Sequence, residues 1–252
     1  FFFSGSSHHT LAQEIAQQYS CPLEHIDKEL FPDGEFSITI GSSVKDRNVV
    51  VIQTLAPHPI EYLHELLYLI DAIHQGGPSS LTLMIPYLGY CRQNARETPT
   101  SSLGLNITAS LLENSGIDSI VTIDPHISSF KDFFIIPIQT LPSPLWDKKI
   151  YHEKHLKDVT VVAADRSSVP RAQMLATSLH SPYAFVDKHI SPSRLFGSVH
   201  RRSVLILDDI CATGKTLAQA AELCIKGGAR DVTAAVTHGV FTDGALATLS
   251  RS

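Results

Sequence analysis

Short apolar runs rich in β-branched residues recur along the chain, each of the length of one buried strand. They lie at Val49–Thr54, Leu81–Ile85, Ser119–Ile123, Val159–Ala163, Val204–Leu207 and Val232–Val236. Between the runs the apolar residues follow a helical period, as at Leu63, Leu66, Leu67, Ile70 and Ile73. Strands that alternate with helices predict an α/β fold in which parallel sheets are flanked by helices.

One order of segments occurs twice in the chain. The segment 47–54, RNVVVIQT, is followed by a helical segment, a Gly-Gly pair and a second strand-like segment, and the same order begins at 201 with RRSVLILDD. Such a repeat predicts two related domains. The Pro-containing stretch 141–146, LPSPLW, continues neither periodicity, so we expect the domains to be 1–141 and 142–252.

The composition of the chain indicates which kinds of partner and which cellular compartment to expect. The 252 residues are 43% hydrophobic, enough for globular cores, and their formal net charge of −5 with no basic run predicts no binding to nucleic acid. The apolar runs are of strand length, so we expect no membrane segment. The four cysteines lie far apart without the spacing of a metal site, which fits reduced thiols and predicts a cytoplasmic protein.

The segment SVLILDDICATGKTL carries the clearest sign of chemistry. Its strand ends at Asp208 and Asp209, and after a short loop we expect a helix to begin near Thr216. Ligands of open parallel sheets bind at the carboxyl ends of the strands. Backbone N–H groups of the turn 212–216 can point at one phosphate, and Gly214 permits a close approach. Because carboxylates accept hydrogen bonds from sugar hydroxyls, the segment predicts a site for a ribose phosphate.

The segment has two other interpretations. The string GKT suggests the phosphate loop of a nucleoside triphosphatase, but that motif needs a glycine where this chain has Asp209, so we exclude it. The other alternative is an ordinary strand-to-helix turn with solvated acids. The first repeat has Gln53 and Thr54 in place of the two acids, so chemistry that needs carboxylates is assigned to the second domain.

These residues resemble the ribose-phosphate loop of the phosphoribosyltransferase fold, which phosphoribosyltransferases share with the ribose-phosphate pyrophosphokinase (PRPP synthetase) family. The resemblance implies two duplicated domains of phosphoribosyltransferase type (type I), each a mainly parallel sheet flanked by helices. It also implies residues that bind ribose 5-phosphate, namely Asp208, Asp209, Ala212, Thr213, Gly214, Lys215 and Thr216. Four further stretches, spread over nearly the whole chain, resemble the pyrophosphokinases.

Two of these stretches, ELFPDGEFSITI and PYLGYCRQNARE, imply contacts with ATP. The first resembles a loop that reaches the ATP of a neighbouring subunit and contacts its adenine, and the second resembles an element that contacts the triphosphate. From the residues alone they would be a hairpin turn and a surface loop, and Asn94 departs from the Asp that the family usually has. The ATP-binding residues that the resemblance implies here are Phe31, Asp33, Glu35, Arg92, Gln93 and Arg96.

The other two stretches imply a metal site. In SIVTIDPHISSF, Asp124 and His126 follow a strand and resemble an Asp-x-His element that contacts Mg²⁺ and ATP. In TVVAADRSSVPRA, Asp165 follows a strand, although its neighbours differ from the usual glycines of the family. The resemblance thus implies Mg²⁺ as cofactor, with His126 and Asp165 as metal ligands and His126 also at ATP. The cluster HEKH at 152–155 has no third ligand and is interpreted as solvated surface.

The catalytic cations are where the chain departs from the family pattern. The family has Lys-x-Arg on a mobile loop, and in AFVDKHISPSRLFG the lysine is Lys188 but Ile190 stands at the position of the arginine. An alignment shifted by one residue would put His189 at the position of the arginine and Asp187 at that of the lysine. We assign Lys188 and Arg194 as the catalytic residues, the latter on condition that the loop folds differently.

The phosphate turn departs from the family at two positions. Ala212 stands where the family commonly has Asp, and Lys215 where it has a small residue. Loss of the carboxylate predicts a weaker grip on the sugar, for which Lys215 would compensate by adding a positive charge that faces the phosphate.

The resemblance implies an enzyme that transfers the diphosphoryl group of ATP to the 1-hydroxyl of ribose 5-phosphate, giving PRPP and AMP. ATP and ribose 5-phosphate are its expected partners, and the shared adenine loop implies a homodimer or a larger homo-oligomer. Two alternatives stay open. A catalytically weak homologue that regulates an active relative is favoured by the incomplete Lys-x-Arg. A phosphoribosyltransferase that consumes PRPP is favoured by the ATGKT turn.

Overall fold

The computed structural model describes residues 1–127, 129–143, 145, 151, 158–188 and 190–250. The cluster at 152–155 and His189 lie outside the described residues, as do Pro144 and Trp146 of the expected join between domains. By its own contacts the chain divides into two units, Phe1–Leu141 and Pro142–Ser252.

Five strands of the first unit form one parallel sheet. They are β1 Phe2–Ser4, β4 Asn48–Ile52, β5 Ser80–Met84, β6 Ser119–Ile123 and β7 Ile138–Leu141. Their order across the sheet is β1-β4-β5-β6-β7, and each strand runs parallel to its neighbours. Ser4 lies opposite Ile52, so the chain leaves β1 and β4 at the same edge of the sheet.

The helices of the first unit cover this sheet with their apolar faces. They are α1 His9–Gln18, α2 Pro59–Gln75 and α3 Gly104–Asn114. Pro59 stands in the first turn of α2, where a missing N–H removes no helical hydrogen bond. Leu66 and Ile73 of α2 and Leu112 of α3 are buried in one core with the apolar residues of the strands.

A separate antiparallel hairpin, β2 Ile26–Leu30 and β3 Phe36–Ile40, packs on α2. The Phe36 ring lies 4.7 Å from the ring of Tyr68 between centroids, and the Lys28 ammonium lies 4.6 Å from the Phe36 ring centre. Lys28 also forms an ion pair of 3.0 Å with the buried Glu65 of α2. These contacts attach both strands of the hairpin to α2, while the turn 31–35 is exposed.

The second unit is built on a second five-stranded sheet. Its strands are β8 Val159–Ala163, β9 Tyr183–Asp187, β10 Arg194–Phe196, β11 Ser203–Cys211 and β12 Asp231–Gly239. Their order is β10-β9-β8-β11-β12, with β10 antiparallel to β9 and all other pairs parallel. Its helices are α4 Val169–Ser178, α5 Lys215–Lys226 and α6 Ala245–Leu249.

Side chains of β11 alternate between two apolar cores. Val204 and Ile206 belong to the cluster that includes residues of α5, whereas Leu205 and Leu207 belong to the cluster that includes residues of α4. Burial on both faces is typical of parallel sheets covered by helices. No helix in the described ranges combines the length and the apolar character that a membrane crossing requires.

The expected α/β fold with parallel, helix-flanked sheets is confirmed. One boundary differs: β11 does not end at Asp208 and Asp209 but runs on to Cys211, and α5 begins at Lys215. The reason is that β12 continues beside it, with Asp208 opposite Val236 and Cys211 opposite Gly239. The two acids therefore lie inside the strand rather than at its end.

Core packing in the first unit gives a stability prediction. Ile73 of α2 is fully buried, whereas Ile60 of the same helix is 74% exposed. Ile73→Ala should lower the free energy of unfolding by about 2–5 kcal/mol because it leaves a cavity, and Ile60→Ala should change it by less than about 0.5 kcal/mol. Urea unfolding followed by circular dichroism measures both, and equal effects would contradict the described packing.

Candidate active site

Two adjacent carboxylates lie buried on β11 at the carboxyl edge of the second sheet. Asp208 is 4% exposed and Asp209 is 2% exposed. The neighbouring strand β8 pairs with β11 only as far as Ala163 opposite Leu207, so the acids extend beyond it. The other neighbour, β12, pairs with β11 past the acids. The sheet therefore presents both acids at the edge where parallel sheets bind ligands.

The start of α4 supplies a polar partner to each acid. The Ser168 hydroxyl donates to Asp208 Oδ1 at 3.0 Å, and Arg171 Nη1 donates to Asp209 Oδ2 at 3.3 Å. The side chain of Arg171 is 23% exposed and that of Asp209 4%, so this ion pair is largely shielded from water. Buried charges of this kind are stable only when paired and hydrogen-bonded.

Burial of the acid pair changes its protonation. Burial, and then the negative charges of Asp165 and Asp209, raise the pKa of Asp208 to about 7, against a smaller lowering by the Ser168 hydroxyl and by the Asp209 N–H. The carboxyl group of Asp208 is therefore close to half protonated at neutral pH when no cation or ligand is bound. A bound cation or a set of hydroxyl donors would favour its ionised form.

Asp165 lies in the β8–α4 loop with its two oxygens in different environments. Oδ1 accepts hydrogen bonds from the Ser167 N–H at 3.0 Å, the Ser167 hydroxyl at 2.6 Å and the Ser168 N–H at 3.3 Å. Oδ2 lies 3.8 Å from Nζ of Lys188. The structure thus brings together the expected metal ligand of this unit, the expected catalytic lysine and, through Ser168, the acid pair.

Arg194 does not join this group by any contact within the described residues. It is the first residue of β10, is exposed, and lies in register with Asp187 at the end of β9. The buried Asp187 carboxylate is instead paired with Arg166 of the β8–α4 loop at 2.6 Å. The β9–β10 connection thus holds Lys188 and Arg194 at its two ends, with Ile190 between them.

The turn 212–216 connects β11 to α5 and is fixed from two sides. Gly214 has a φ of 76°, and a Cβ added there would lie 2.9 Å from Leu249 Cγ, so both the backbone conformation and the packing require glycine. The Thr242 N–H donates to the Ala212 carbonyl at 3.0 Å. Thr213 and Lys215 are exposed and Thr216 is half-buried at the start of α5.

The turn can bind an anion through its backbone and the helix start. The N–H groups of the first turn of a helix have no partner inside the helix, and the helix dipole favours a negative charge beside them. Lys215 adds an ammonium group at this end of α5.

The candidate ATP residues of the hairpin lie on its exposed turn. The Phe31 N–H donates to the Glu35 carbonyl at 2.8 Å, and the Glu35 N–H donates to Asp33 Oδ1 at 3.1 Å. Gly34 has a φ of 92°, which a glycine adopts without strain. The Phe31 ring is 39% exposed, so this turn presents an aromatic face and two carboxylates to solvent.

The second set of candidate ATP residues lies in the β5–α3 connection. Arg92, Gln93 and Arg96 are exposed, and Arg96 donates to the Ser101 carbonyl. The Leu105 N–H at the start of α3 donates to the Gln93 carbonyl at 3.4 Å. These side chains can reach solvent and offer planar donors that suit phosphate or ribose oxygens.

His126 follows β6 at the carboxyl edge of the first sheet, as expected, and is half-buried. Asp124, two residues earlier, is 8% exposed and has a φ of 38°, a left-handed conformation that non-glycine residues adopt at an energetic cost. Its N–H donates to the Leu141 carbonyl at 2.9 Å. His126 therefore follows β6 after a strained turn at Asp124.

The donor set fits a Mg²⁺ ion that is held mainly by a substrate. No group of three or more His, Cys, Asp or Glu side chains that could hold a metal occurs within the described part of the chain. Mg²⁺ commonly binds through one or two carboxylates together with substrate phosphates and water. The carboxylates of Asp165 and Asp208, whose charges repel each other, are suited to a divalent cation.

A polar cluster that sequence reasoning missed occupies the matching position of the first unit. Gln53 comes directly after Ile52 of β4, the position that corresponds to Asp208 after Leu207. The Gln53 side-chain amide accepts a hydrogen bond from the Ser7 hydroxyl at 2.6 Å and donates one to Glu65 Oε2 at 2.8 Å. Burial would raise the pKa of Glu65, but hydrogen bonds from Ser6, Lys28 and Gln53 hold it below its ordinary value.

Sequence reasoning also missed Ser168 and Arg171. A signal for them exists, because both follow Asp165 on the loop and first turn of α4, and side chains three residues apart lie on one face of a helix. The spacing alone does not predict which strand residues Ser168 and Arg171 contact.

A mainly parallel sheet with a buried acid pair on one strand, followed by a glycine-containing turn and a helix, defines the second unit as a phosphoribosyltransferase-fold domain. A family model described as "Phosphoribosyl transferase domain" matches residues 146–245. A second, described as "N-terminal domain of ribose phosphate pyrophosphokinase", matches residues 1–116.

Curated relatives match along nearly the whole chain. "Ribose-phosphate pyrophosphokinase" of Rhizobium meliloti is 34% identical over 99% of this chain and 83% of its own length, and the protein of that name from Porphyromonas gingivalis is 33% identical over 99% and 82%. The phosphoribosylpyrophosphate synthetase structure from Mycobacterium smegmatis matches with a TM-score of 0.91 at 30% identity, covering 99% of this chain and 84% of that one. The chain belongs to the ribose-phosphate pyrophosphokinase family, and the resemblance predicted from sequence is confirmed.

The raised pKa of Asp208 gives a prediction for stability against pH. Between about pH 4, the pKa of an unfolded aspartate, and about pH 7 the folded protein binds the extra proton. Its stability therefore falls as the pH rises through this window. Asp208→Asn cannot ionise, so its free energy of unfolding relative to wild type should increase by roughly 2 to 3 kcal/mol from pH 5 to pH 8. Urea unfolding of both proteins with a chelator present measures this, and a pH-independent difference would refute the assigned pKa.

Proposed function

We propose that this chain transfers the diphosphoryl group of ATP to the 1-hydroxyl of ribose 5-phosphate, giving PRPP and AMP. The observation that carries the proposal is the buried Asp208–Asp209 pair directly before the anion-binding turn 212–216. Relatives that match nearly the full length and are named ribose-phosphate pyrophosphokinase support it.

Ribose 5-phosphate would bind at the carboxyl edge of the second sheet. Asp208 and Asp209 would accept hydrogen bonds from ribose hydroxyls, which are stronger when the acceptor is ionised. The 5-phosphate would accept hydrogen bonds from backbone N–H groups of the turn, from the hydroxyls of Thr213 and Thr216, and from the ammonium group of Lys215. Ala212 supplies no side-chain acceptor here, so the sugar would depend on the acid pair.

ATP would be bound by residues of the first unit. Phe31 would stack on the adenine, with Asp33 and Glu35 as hydrogen-bond acceptors on the same turn. Further contacts with ATP are proposed for Arg92, Gln93, Arg96 and His126. Support comes from their exposure and from the match of residues 1–116 to the N-terminal pyrophosphokinase domain.

The proposed cofactor is Mg²⁺, and the proposed protein ligands are Asp165 of the second unit and His126 of the first. When bound, the ion would offset the negative charge of the triphosphate. Asp165 suits this role because its Oδ1 is fixed by three donors from its own loop while Oδ2 faces Lys188.

Lys188 is proposed as the cation that stabilises charge in the transition state. Diphosphoryl transfer needs no covalent bond to the protein, so positioning and positive charge supply most of the catalysis. The ammonium group lies 3.8 Å from Asp165 Oδ2, and its side chain is 26% exposed. Arg194, exposed at the other end of the β9–β10 connection, is proposed as the second cation.

Assembly and compartment are also proposed. An adenine loop that serves a neighbouring subunit would require a homodimer or a larger homo-oligomer. The cysteines Cys21, Cys91, Cys211 and Cys224 are free thiols, which supports a reducing compartment such as the cytoplasm.

Two sequence differences favour one alternative, a catalytically weak regulatory homologue. Ile190 stands where the family has the arginine of Lys-x-Arg, and Ala212 stands where it has an acid. A catalytically weak homologue that regulates an active relative would tolerate both changes. The same assay separates this alternative from the proposed enzyme.

The test is to incubate the protein with Mg·ATP and ribose 5-phosphate and to measure AMP and PRPP. We expect stoichiometric formation of both products, and Lys188→Ala should lower kcat by about 100-fold or more, because a charge that stabilises the transition state is removed. Lys226→Ala, a lysine of α5 whose side chain is 73% exposed, is the matched control and should behave as wild type.

Three outcomes are informative. No AMP above background from the wild type would reject the enzyme in favour of the regulatory homologue. AMP without PRPP would reject the assigned acceptor. Wild-type kinetics in Lys188→Ala would move the role of the cation to another residue.

A further inference from the structure

Ser168 is fully buried at the entrance to α4 and touches two carboxylates of the site. Its hydroxyl lies 3.0 Å from Asp208 Oδ1 and 3.4 Å from Asp165 Oδ1. Its N–H donates separately to Asp165 Oδ1 at 3.3 Å. A hydroxyl has one hydrogen to donate, and the shorter distance directs it to Asp208. Ser168 therefore holds Asp165 with its backbone and Asp208 with its side chain.

The first unit contains the same arrangement with a neutral partner. Ser7, in the loop between β1 and α1, donates from its hydroxyl to Gln53 Oε1 at 2.6 Å. The registers correspond, because Ser4 lies opposite Ile52 just before Gln53 and Ala163 lies opposite Leu207 just before Asp208. A serine of the first β–α loop thus orients the side chain that follows the neighbouring strand in both units.

The hydrogen bond matters more in the second unit, because its acceptor is the group proposed to meet the substrate. Asp208 and Asp209 are adjacent, and Arg171 already fixes Asp209. Without Ser168, no side-chain donor within the described contacts would set the rotation of the Asp208 carboxylate. A carboxylate that must accept from a ribose hydroxyl gains affinity when its orientation is fixed before binding.

We infer that Ser168 is a positioning residue that orients the Asp208 carboxylate for the hydroxyls of ribose 5-phosphate. This inference rests on the proposed function, since it takes ribose 5-phosphate as the ligand of the acid pair. Loss of the Ser168 hydroxyl should therefore weaken the binding of ribose 5-phosphate and leave the binding of ATP unchanged.

The test measures ribose 5-phosphate binding by titration calorimetry and the KM values of both substrates. Ser168→Ala should raise Kd and KM for ribose 5-phosphate about 10-fold, the effect of one hydrogen bond to a charged group. The KM for ATP should stay within about twofold. Ser168→Cys, which has nearly the same size but a weak donor, should behave in the same way and serves if the alanine variant folds poorly.

Two matched controls separate positioning from general damage. Ser178→Ala removes a hydroxyl at the other end of α4, which donates to the Leu175 carbonyl at 2.8 Å. Ser7→Ala removes the equivalent hydrogen bond of the first unit. Both should leave the KM for ribose 5-phosphate within about twofold of wild type, and thermal unfolding should show that all variants are folded.

The outcomes distinguish the inference from the proposed function. If wild type does not bind ribose 5-phosphate, the proposed function fails. If wild type binds it and both Ser168 variants, folded, bind it equally well, the inference is wrong while the function stands. If the KM for ATP rises as much as that for ribose 5-phosphate, Ser168 is structural and the inference is equally wrong.

Discussion

Two adjacent carboxylates, Asp208 and Asp209, are held inside the second unit, and the surrounding structure is arranged to tolerate them. Burial of an ionised carboxylate costs several kcal/mol unless partners compensate it. Ser168 and Arg171, both from the start of α4, supply those partners. The compensation is incomplete, as the raised pKa of Asp208 indicates. A site with incompletely compensated negative charge, next to a turn proposed to bind the phosphate, is suited to a ligand that brings hydroxyl donors and a phosphate together.

The first unit explains why only one copy of the repeated fold keeps this chemistry. There Gln53 takes the place of Asp208 and is hydrogen-bonded to Ser7 and to Glu65 of α2. Glu65 is in turn paired with Lys28 of the hairpin. The polar groups of this cluster are hydrogen-bonded to one another, and they link α2 to the hairpin. The two units therefore differ in the residue at the corresponding position, a neutral amide in the first and a carboxylate in the second.

Much of the fold was predictable, because short β-branched runs and helical periods are local properties of the sequence. The order of Asp208, Asp209 and Gly214 likewise predicts a phosphate turn, and the binding of phosphate there stays a prediction. The extension of β11 to Cys211 was not predictable, since it depends on the length of β12 beside it. Nor were the partners of the acid pair, because hydrogen bonds between the start of α4 and β11 join residues about forty positions apart. The roles of Lys188 and Arg194 remain predictions, since they depend on the ligands.

The central claim is that one edge of the second sheet holds ribose 5-phosphate with its hydroxyls on the acid pair and its phosphate on the turn. A crystal structure of the protein with ribose 5-phosphate tests it most directly. The account predicts two ribose hydroxyls within about 2.6–3.2 Å of the Asp208 and Asp209 carboxylates, and phosphate oxygens at similar distances from the N–H groups of the turn 212–216. A sugar phosphate bound elsewhere, or bound with its phosphate towards the carboxylates, would contradict the account.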